Sequence, residues 1–222
     1  MTDAATTVVV LAKEPRPGRV KTRLQPAFTP DQAAELAACA FEDTLAAVEA
    51  AAPACRMVAW DGTDPRWRDR LATRGFAVVP QGAGTLNDRL ATALTAARSN
   101  DRYGRLLVIG MDTPQVTADL LRTDWGGADA VLGPAEDGGF WALGLRAADP
   151  GSCLAGIPMS SDRTGAAQLA RLGELGLSIT LLPCLRDVDG PADAAAVATR
   201  TPDLRFSLRH RQLVGSAAPT TG

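Results

Sequence analysis

The apolar positions of this chain fall into short runs that alternate with stretches of helical spacing, and that alternation predicts an α/β domain. Residues 7–12 read as a buried strand, and Thr29-Pro30 reads as a cap followed by proline at the first helical position, opening a helix through about residue 51. Strands over 55–60 and 76–80 alternate with helices over 65–74 and 86–99. The run Arg-Leu-Leu-Val-Ile-Gly at 105–110 is apolar on both faces, as in a central parallel strand. Beyond it the pattern changes: strands over 128–133 and 140–145 are too close in sequence for a parallel crossover, so the second is expected to run antiparallel or to lie elsewhere in a mixed sheet. A helix over 163–175, a strand over 177–182 and a helix over about 191–199 complete one domain, 1–214. The Ser, Ala, Pro, Thr and Gly residues at 215–222 are expected to be a disordered tail. The sequence has no internal repeat and no interdomain linker.

Composition narrows the chemistry. A chain of 222 residues with 46% hydrophobic content builds one good core. The four cysteines, Cys39, Cys55, Cys153 and Cys184, form no C-x-x-C pair and no zinc spacing; they sit in segments that read as buried helix or strand and are expected to be reduced thiols. No signal-peptide layout and no apolar run near the roughly 20 residues of a membrane span is present, so the expectation is a soluble cytoplasmic protein. The single histidine, His210, falls in an Arg-rich stretch expected to be tail, which disfavours a Ser-His-Asp triad, a His-ligated zinc or a Cys-His pair. A metal here has to be held by carboxylates, and that favours Mg²⁺ or Mn²⁺. The net charge of −2 gives no reason to expect a nucleic-acid partner.

Against that weakly acidic background the first strand runs into a loop carrying five cations, Lys13, Arg16, Arg19, Lys21 and Arg23. In open α/β sheets ligands sit beyond the carboxyl ends of the strands, and Lys and Arg on a Gly/Pro-shaped loop can meet a polyphosphate with point charges and forked donors. The plain alternative is a solvated charged loop. The loop is not a P-loop, because Gly18-Arg19-Val20-Lys21-Thr22 lacks the contiguous Gly-Lys-Ser/Thr.

Three further segments carry candidate chemistry. Asp112 follows the most apolar strand, where a carboxylate can bind a divalent ion that bridges phosphates, or can simply make a turn or cap before Pro114. Asp187-Val188-Asp189 offers a second carboxylate ahead of a Pro-initiated helix, and either Asp can be the capping one. Pro134-Ala135-Glu136-Asp137-Gly138-Gly139 reads first as a tight turn, while its glycines also allow backbone to approach a ligand and Phe140 or Trp141 can stack on a ring. At the start of the third helix Asn87 can read a base edge or ribose and Arg89 can meet a phosphate, with capping and surface exposure as equal alternatives.

The run Ala12-Lys13-x-Pro15-x-Pro17-Gly18-x-Val20-Lys21-Thr22-Arg23-Leu24, then Gly110-x-Asp112-Thr113-Pro114, Gly133-Pro134-Ala135-Glu136-Asp137-Gly138-Gly139-Phe140 and Asp187-Val188-Asp189, resembles a family of small bacterial GT-A-fold proteins. That family is described as glycosyltransferase-like or nucleotide-diphospho-sugar transferases, with some members associated with arsenosugar biosynthesis. The Lys-Thr-Arg-Leu and Asp-Gly-Gly elements also resemble the 2-phospholactate guanylyltransferases. The resemblance spans about residues 8–197. It implies a single-domain, three-layer α/β/α fold with a mixed, mostly parallel sheet. It places Ala12, Lys13, Gly18, Arg19, Lys21, Arg23, Asn87, Arg89, Gly138 and Gly139 around a nucleotide, with Asp112 as a metal ligand. Position 114 is Pro, so the Asp-x-Asp motif of many glycosyltransferases is absent and Asp189 stands where nucleotidyltransferases place their second carboxylate.

The expected function is therefore an Mg²⁺- or Mn²⁺-dependent transferase acting at the diphosphate of a nucleotide or nucleotide-sugar donor, with a small-molecule acceptor and no membrane span. Lys21 and Arg23 neutralise phosphate charge, Asp112 and Asp189 hold the ion, and Asp137 orients or deprotonates an acceptor hydroxyl. The alternatives are a nucleotidyltransferase joining a nucleoside triphosphate to a phosphorylated acceptor with release of pyrophosphate, a non-catalytic nucleotide-binding protein, and a charged-loop interaction protein. Glycosyl and nucleotidyl transfer, the base, and the oligomeric state stay open at this stage.

Overall fold

The computed structural model describes residues 6–99 and 104–217. Seven strands, β1 (Thr6–Lys13), β2 (Cys55–Asp61), β3 (Ala77–Pro80), β4 (Arg105–Gly110), β5 (Ala130–Pro134), β6 (Phe140–Leu145) and β7 (Ile179–Leu181), form one sheet in the order β3-β2-β1-β4-β6-β5-β7. Every pairing is parallel except those of β6, which runs antiparallel to both β4 and β5. The short connection from β5 forces that reversal.

The helices are α1 (Pro30–Ala51), α2 (Pro65–Thr73), α3 (Leu86–Ser99), α4 (Ala118–Leu121), α5 (Pro150–Leu154), α6 (Thr164–Glu174), α7 (Pro191–Arg200) and α8 (Arg205–Ala217). At the start of α1 the Thr29 side chain accepts from Gln32 N–H while the Gln32 side chain accepts from Thr29 N–H, a full capping box. Strand alternation splits the core in two. Val8, Val10 and Ala12 pack with Phe41 and Leu45 of α1 and Leu71 of α2 on one face of the sheet. Val9 packs with Leu90 and Leu94 of α3 and Leu172 of α6 on the other.

A third apolar cluster lies behind α1. Its second stripe, Ala33, Leu36 and Ala40, meets Leu24, Phe28, Val188, Val197 of α7, and Phe206 and Leu213 of α8. This cluster corrects the expectation at the C-terminus. The tail expected from 215 begins inside a helix that continues through Ala217, while positions 218–222 lie outside the described residues. His210 is not in a tail either: it is buried against the Phe28 and Phe206 rings, with centroids 5.5 and 6.3 Å away, and burial pushes its imidazole pKa down. Helix α5, capped by Asp149, was not foreseen. Helix α4 starts at Ala118 under a Thr117 cap, so Asp112 is not a helix cap. All four cysteines are free, but Cys184 is exposed in the loop after β7 and not in a buried element. Among the described residues no helix is long and apolar enough to cross a membrane.

Asp43 of α1 fixes α8 in place. Its two carboxylate oxygens accept from the backbone N–H groups of Arg205 and Phe206 at 3.1 and 2.9 Å, supplying from a distant helix the cap that α8 lacks locally. Burial raises the Asp43 pKa, with those two hydrogen bonds working against the rise. Replacing Asp43 by Ala leaves the buried Phe206 N–H and the part-buried Arg205 N–H without this partner and is expected to cost about 1–3 kcal/mol, read as a lower urea midpoint with helix content retained. An unchanged midpoint would show that these amides have other partners.

Candidate active site

Because β6 is reversed, its first residue, Phe140, lies at the same sheet edge as the last residues of β1 and β4. A cleft of about 730 Å³ opens there. Its first wall is the charged loop. Glu14 ties down the base of that loop by accepting from Thr63 N–H and Asp64 N–H at 2.6 and 3.1 Å. Val20 and Leu24 are buried, which turns the intervening residues outward. Lys21 sits between them in the left-handed region with φ +48°, a conformation that costs a non-glycine residue energy and is kept where surrounding structure enforces it. Its Nζ donates to Asp112 Oδ2 at 2.8 Å, and Arg23 pairs with Asp189.

The Asp-Val-Asp loop reaches the cleft by the same device. Val188 is buried in the third cluster, and its N–H donates to Asp112 carbonyl at 2.9 Å, which sets Asp187 and Asp189 beside Asp112. Trp141 Nε1 donates to Pro183 carbonyl at 2.9 Å and Gln115 Nε2 to Arg186 carbonyl at 2.6 Å, bracing the approach to this loop. Burial and the neighbouring charges of Asp112 and Asp137 push the Asp187 carboxyl up to about 7. Its Oδ1 is buried without a hydrogen-bond partner. For Asp112, burial works to raise the pKa, but the charge and hydrogen bond of Lys21 outweigh it and hold the group below the usual carboxylate range.

Of the residues singled out in the sequence, Lys13, Arg19, Lys21, Arg23, Arg89, Asp112, Asp137, Gly139 and Asp189 all line this cleft. Four do not. Ala12 is buried, and its carbonyl accepts from Gln81 Nε2 at 2.7 Å. Gly18 occupies a turn outside the lining, with φ +71°. Asn87 braces a loop, donating from Nδ2 to the carbonyls of Leu154 and Ile157 at 3.2 and 2.9 Å. Gly138 is a packing glycine: φ is +89°, and a Cβ there would lie 2.1 Å from Asp162 carbonyl. Phe140 and Trp141 both line the cleft, but Trp141 is almost wholly buried and its indole N–H is taken up by Pro183 carbonyl.

Two contributors escaped the sequence reading, and a third point was left open by it. Gln81, at the end of β3, donates to both Ala12 and Ala59 carbonyls and so ties the ends of β1 and β2 together at the cleft. A polar residue directly after a strand was the available signal. Loop 155–163 supplies Met159, Ser160, Ser161 and Asp162 to the opposite wall, with no pattern in its sequence to announce it. Asp187, rather than Asp189, is the carboxylate left without a cationic hydrogen-bond partner.

A mixed sheet with one reversed strand, helices on both faces, and charged loops converging at one edge defines the GT-A fold of nucleotide-diphospho-sugar transferases. Residues 44–161, more than half of the chain, match the family model described as "Uncharacterized protein conserved in bacteria (DUF2064)". The chain belongs to that family. A structure from Desulfovibrio desulfuricans G20, provisionally named a nucleotide-diphospho-sugar transferase, superposes with a TM-score of 0.83 at 24% identity, covering 96% of this chain and 98% of that one. Rv0371c of Mycobacterium tuberculosis, in complex with manganese, gives a TM-score of 0.53 at 20% identity over 87% of this chain and 97% of that one. A CMP:2-keto-3-deoxy-manno-octonic acid synthetase complexed with CTP gives 0.53 at 16% identity, covering 90% of this chain and 100% of that one. At these identities the likeness is one of fold. No protein of curated function matches.

Proposed function

We propose that this protein is a divalent-metal-dependent transferase acting at the diphosphate of a nucleotide-activated donor. The observation that carries the reading is the convergence of Lys21 and Arg23 with Asp112, Asp187 and Asp189 in one cleft at the carboxyl edge of the sheet. Cations alone would suit any anion. Cations interleaved with carboxylates suit a phosphate chain that brings its own metal. The manganese and CTP held by two proteins of similar fold support the same reading.

The chemistry of the donor set fits such a metal. Among the described residues no group of three His, Cys, Asp or Glu forms a ready-made cage. The oxygen-only pair Asp112 and Asp187, with a buried and unpartnered Oδ1 on the latter, suits an ion that keeps waters and takes phosphate oxygens. Asp112 and Asp187 would hold it, with Asp189 held by Arg23 on the flank. Bound there, Mg²⁺ or Mn²⁺ stabilises negative charge on the departing diphosphate. Lys21 and Arg23 bind and orient that diphosphate, exchanging their present carboxylate partners for phosphate oxygens, and Lys13, Arg19 and Arg89 add positive charge along the same wall. Asp137 faces the opposite side of the cleft, where it orients an acceptor.

A thermal-shift titration tests this. Nucleoside di- and triphosphates are expected to raise the unfolding temperature with Mg²⁺ or Mn²⁺ present and far less with EDTA, since a ligand bound only by the folded state adds to its stability. A full panel without any metal-dependent shift would sink the proposal.

A further inference from the structure

The lining of the cleft is divided by sign along the chain. Its cations, Lys13, Arg19, Lys21, Arg23 and Arg89, all precede Asp112, and from Asp112 onward the charged lining residues are carboxylates only. The wall facing the charged loop presents Asp137, Asp162, Ser160 and Ser161, and among the described residues no Lys, Arg or His reaches the cleft from it. Two cations lie near that wall in sequence. Arg186 is taken up by Glu136 and Asp193, and Arg163 points its exposed side chain outside the lining.

This wall is built rather than incidental. Thr164 Oγ1 donates to Pro158 carbonyl at 2.6 Å and accepts from Ser161 N–H at 3.1 Å, closing the loop on itself. Ser160 is held at φ +57°, in the left-handed region, and among the described residues its hydroxyl has no partner. The Asp162 backbone is seated on Gly138, and Gly165 N–H donates to Gly138 carbonyl at 2.8 Å, joining the loop to the Asp137 turn.

From this partition, and resting on the donor reading given above, we infer that the second substrate is an uncharged or cationic polyhydroxyl compound that accepts through a hydroxyl, not a phosphate ester. Carboxylates and hydroxyls together offer acceptors for O–H and N–H donors. A phosphate ester carries nearly two negative charges and would meet the carboxylates of this wall with no cation on it to receive them. The transfer then balances without another reagent. The acceptor oxygen gives its proton to the Asp137 carboxylate and bonds to the anomeric carbon of the donor sugar. The bond from that carbon to the diphosphate oxygen breaks, and its electron pair leaves with the nucleoside diphosphate.

The test compares glucosamine with glucosamine 6-phosphate, one ring with and without the phosphate. Each is titrated by thermal shift into the full chain, alone and saturated with UDP and Mn²⁺. Glucosamine is expected to bind about tenfold or more tightly than its phosphate ester in both states. Asp162→Lys, which leaves the backbone contact to Gly138 in place, is expected to narrow or invert that ratio. Tighter binding of the ester by the unaltered protein overturns the inference, as does a response to neither sugar. A missing response to UDP and Mn²⁺ counts instead against the donor reading and leaves the comparison on the protein alone decisive.

Discussion

Replacing Lys21 by Met is expected to weaken metal-dependent nucleotide binding and turnover by about a hundredfold or more, the scale seen when one preorganised charged or hydrogen-bonding group is taken from developing negative charge. The same substitution is expected to raise the affinity for Mn²⁺ alone by roughly fivefold, because Asp112 loses its competing ammonium partner at 2.8 Å. Those opposite signs follow from one contact. In the resting site Lys21 neutralises Asp112 and Arg23 neutralises Asp189, so a metal ion and a diphosphate each meet a group that is already engaged. Arriving together, they give each charged side chain a new partner. Metal and nucleotide should therefore strengthen one another's binding reciprocally, and Lys21→Met should abolish most of that coupling. The measurement is a pair of calorimetric titrations of Mn²⁺, with and without UDP, on each protein. Equal loss of Mn²⁺ affinity in both titrations would contradict the proposed role of Lys21.

Asp187→Asn is expected to stabilise the protein while removing its metal response. The folded protein keeps the Asp187 proton up to about pH 7, whereas an unfolded chain releases it near 3.8. The carboxylate thus costs nothing below pH 3.8, costs progressively more between 3.8 and 7, and costs its full amount above 7. At pH 8 in EDTA the variant is expected to exceed the unaltered protein by about 2–4 kcal/mol, and the two should converge near pH 4. With Mn²⁺ added the order should reverse, since only the carboxylate gains a counter-ion. Urea unfolding across that pH range checks the first part, and parallel curves at all pH values would rule it out. Such a cost to the fold accords with the metal-binding role proposed for Asp187.

Much of this was legible in the chain because the relevant signals are local. β4 announces itself as a continuous apolar run, and the brevity of the link between β5 and β6 dictates the reversal of β6. Lys21 lies in the loop that leaves β1 and Asp112 just beyond β4, so a parallel sheet has to bring both to one edge. What the sequence left open or hid shares the opposite property. A polar residue in the first turn of a helix has one appearance in sequence whether it meets a ligand or braces the protein, and the partners of Asn87 lie 67 and 70 residues away. The choice between Asp187 and Asp189 depends on which of them Arg23 engages, a contact spanning 166 positions. Helix α8 carries Phe206, His210 and Leu213 at helical spacing, but its arginines and its cap from Asp43, 162 residues distant, concealed it.

The burial of Leu24 and Val188 in one apolar cluster gives the cleft the mechanics of a vice. Two loops that follow strands at opposite ends of the sequence are bolted to the same block of α1, α7 and α8, so the jaw proposed to face the nucleotide has no independent hinge. The other jaw, loop 155–163, is not part of that block: it is held by the Asn87 side chain at Ile157, by Met159 against the second core cluster and by backbone contacts at Gly138, so adjustment to the size of an incoming molecule falls to it. On the proposed function, changes in that loop can retune what the protein accepts without disturbing the grip on phosphate.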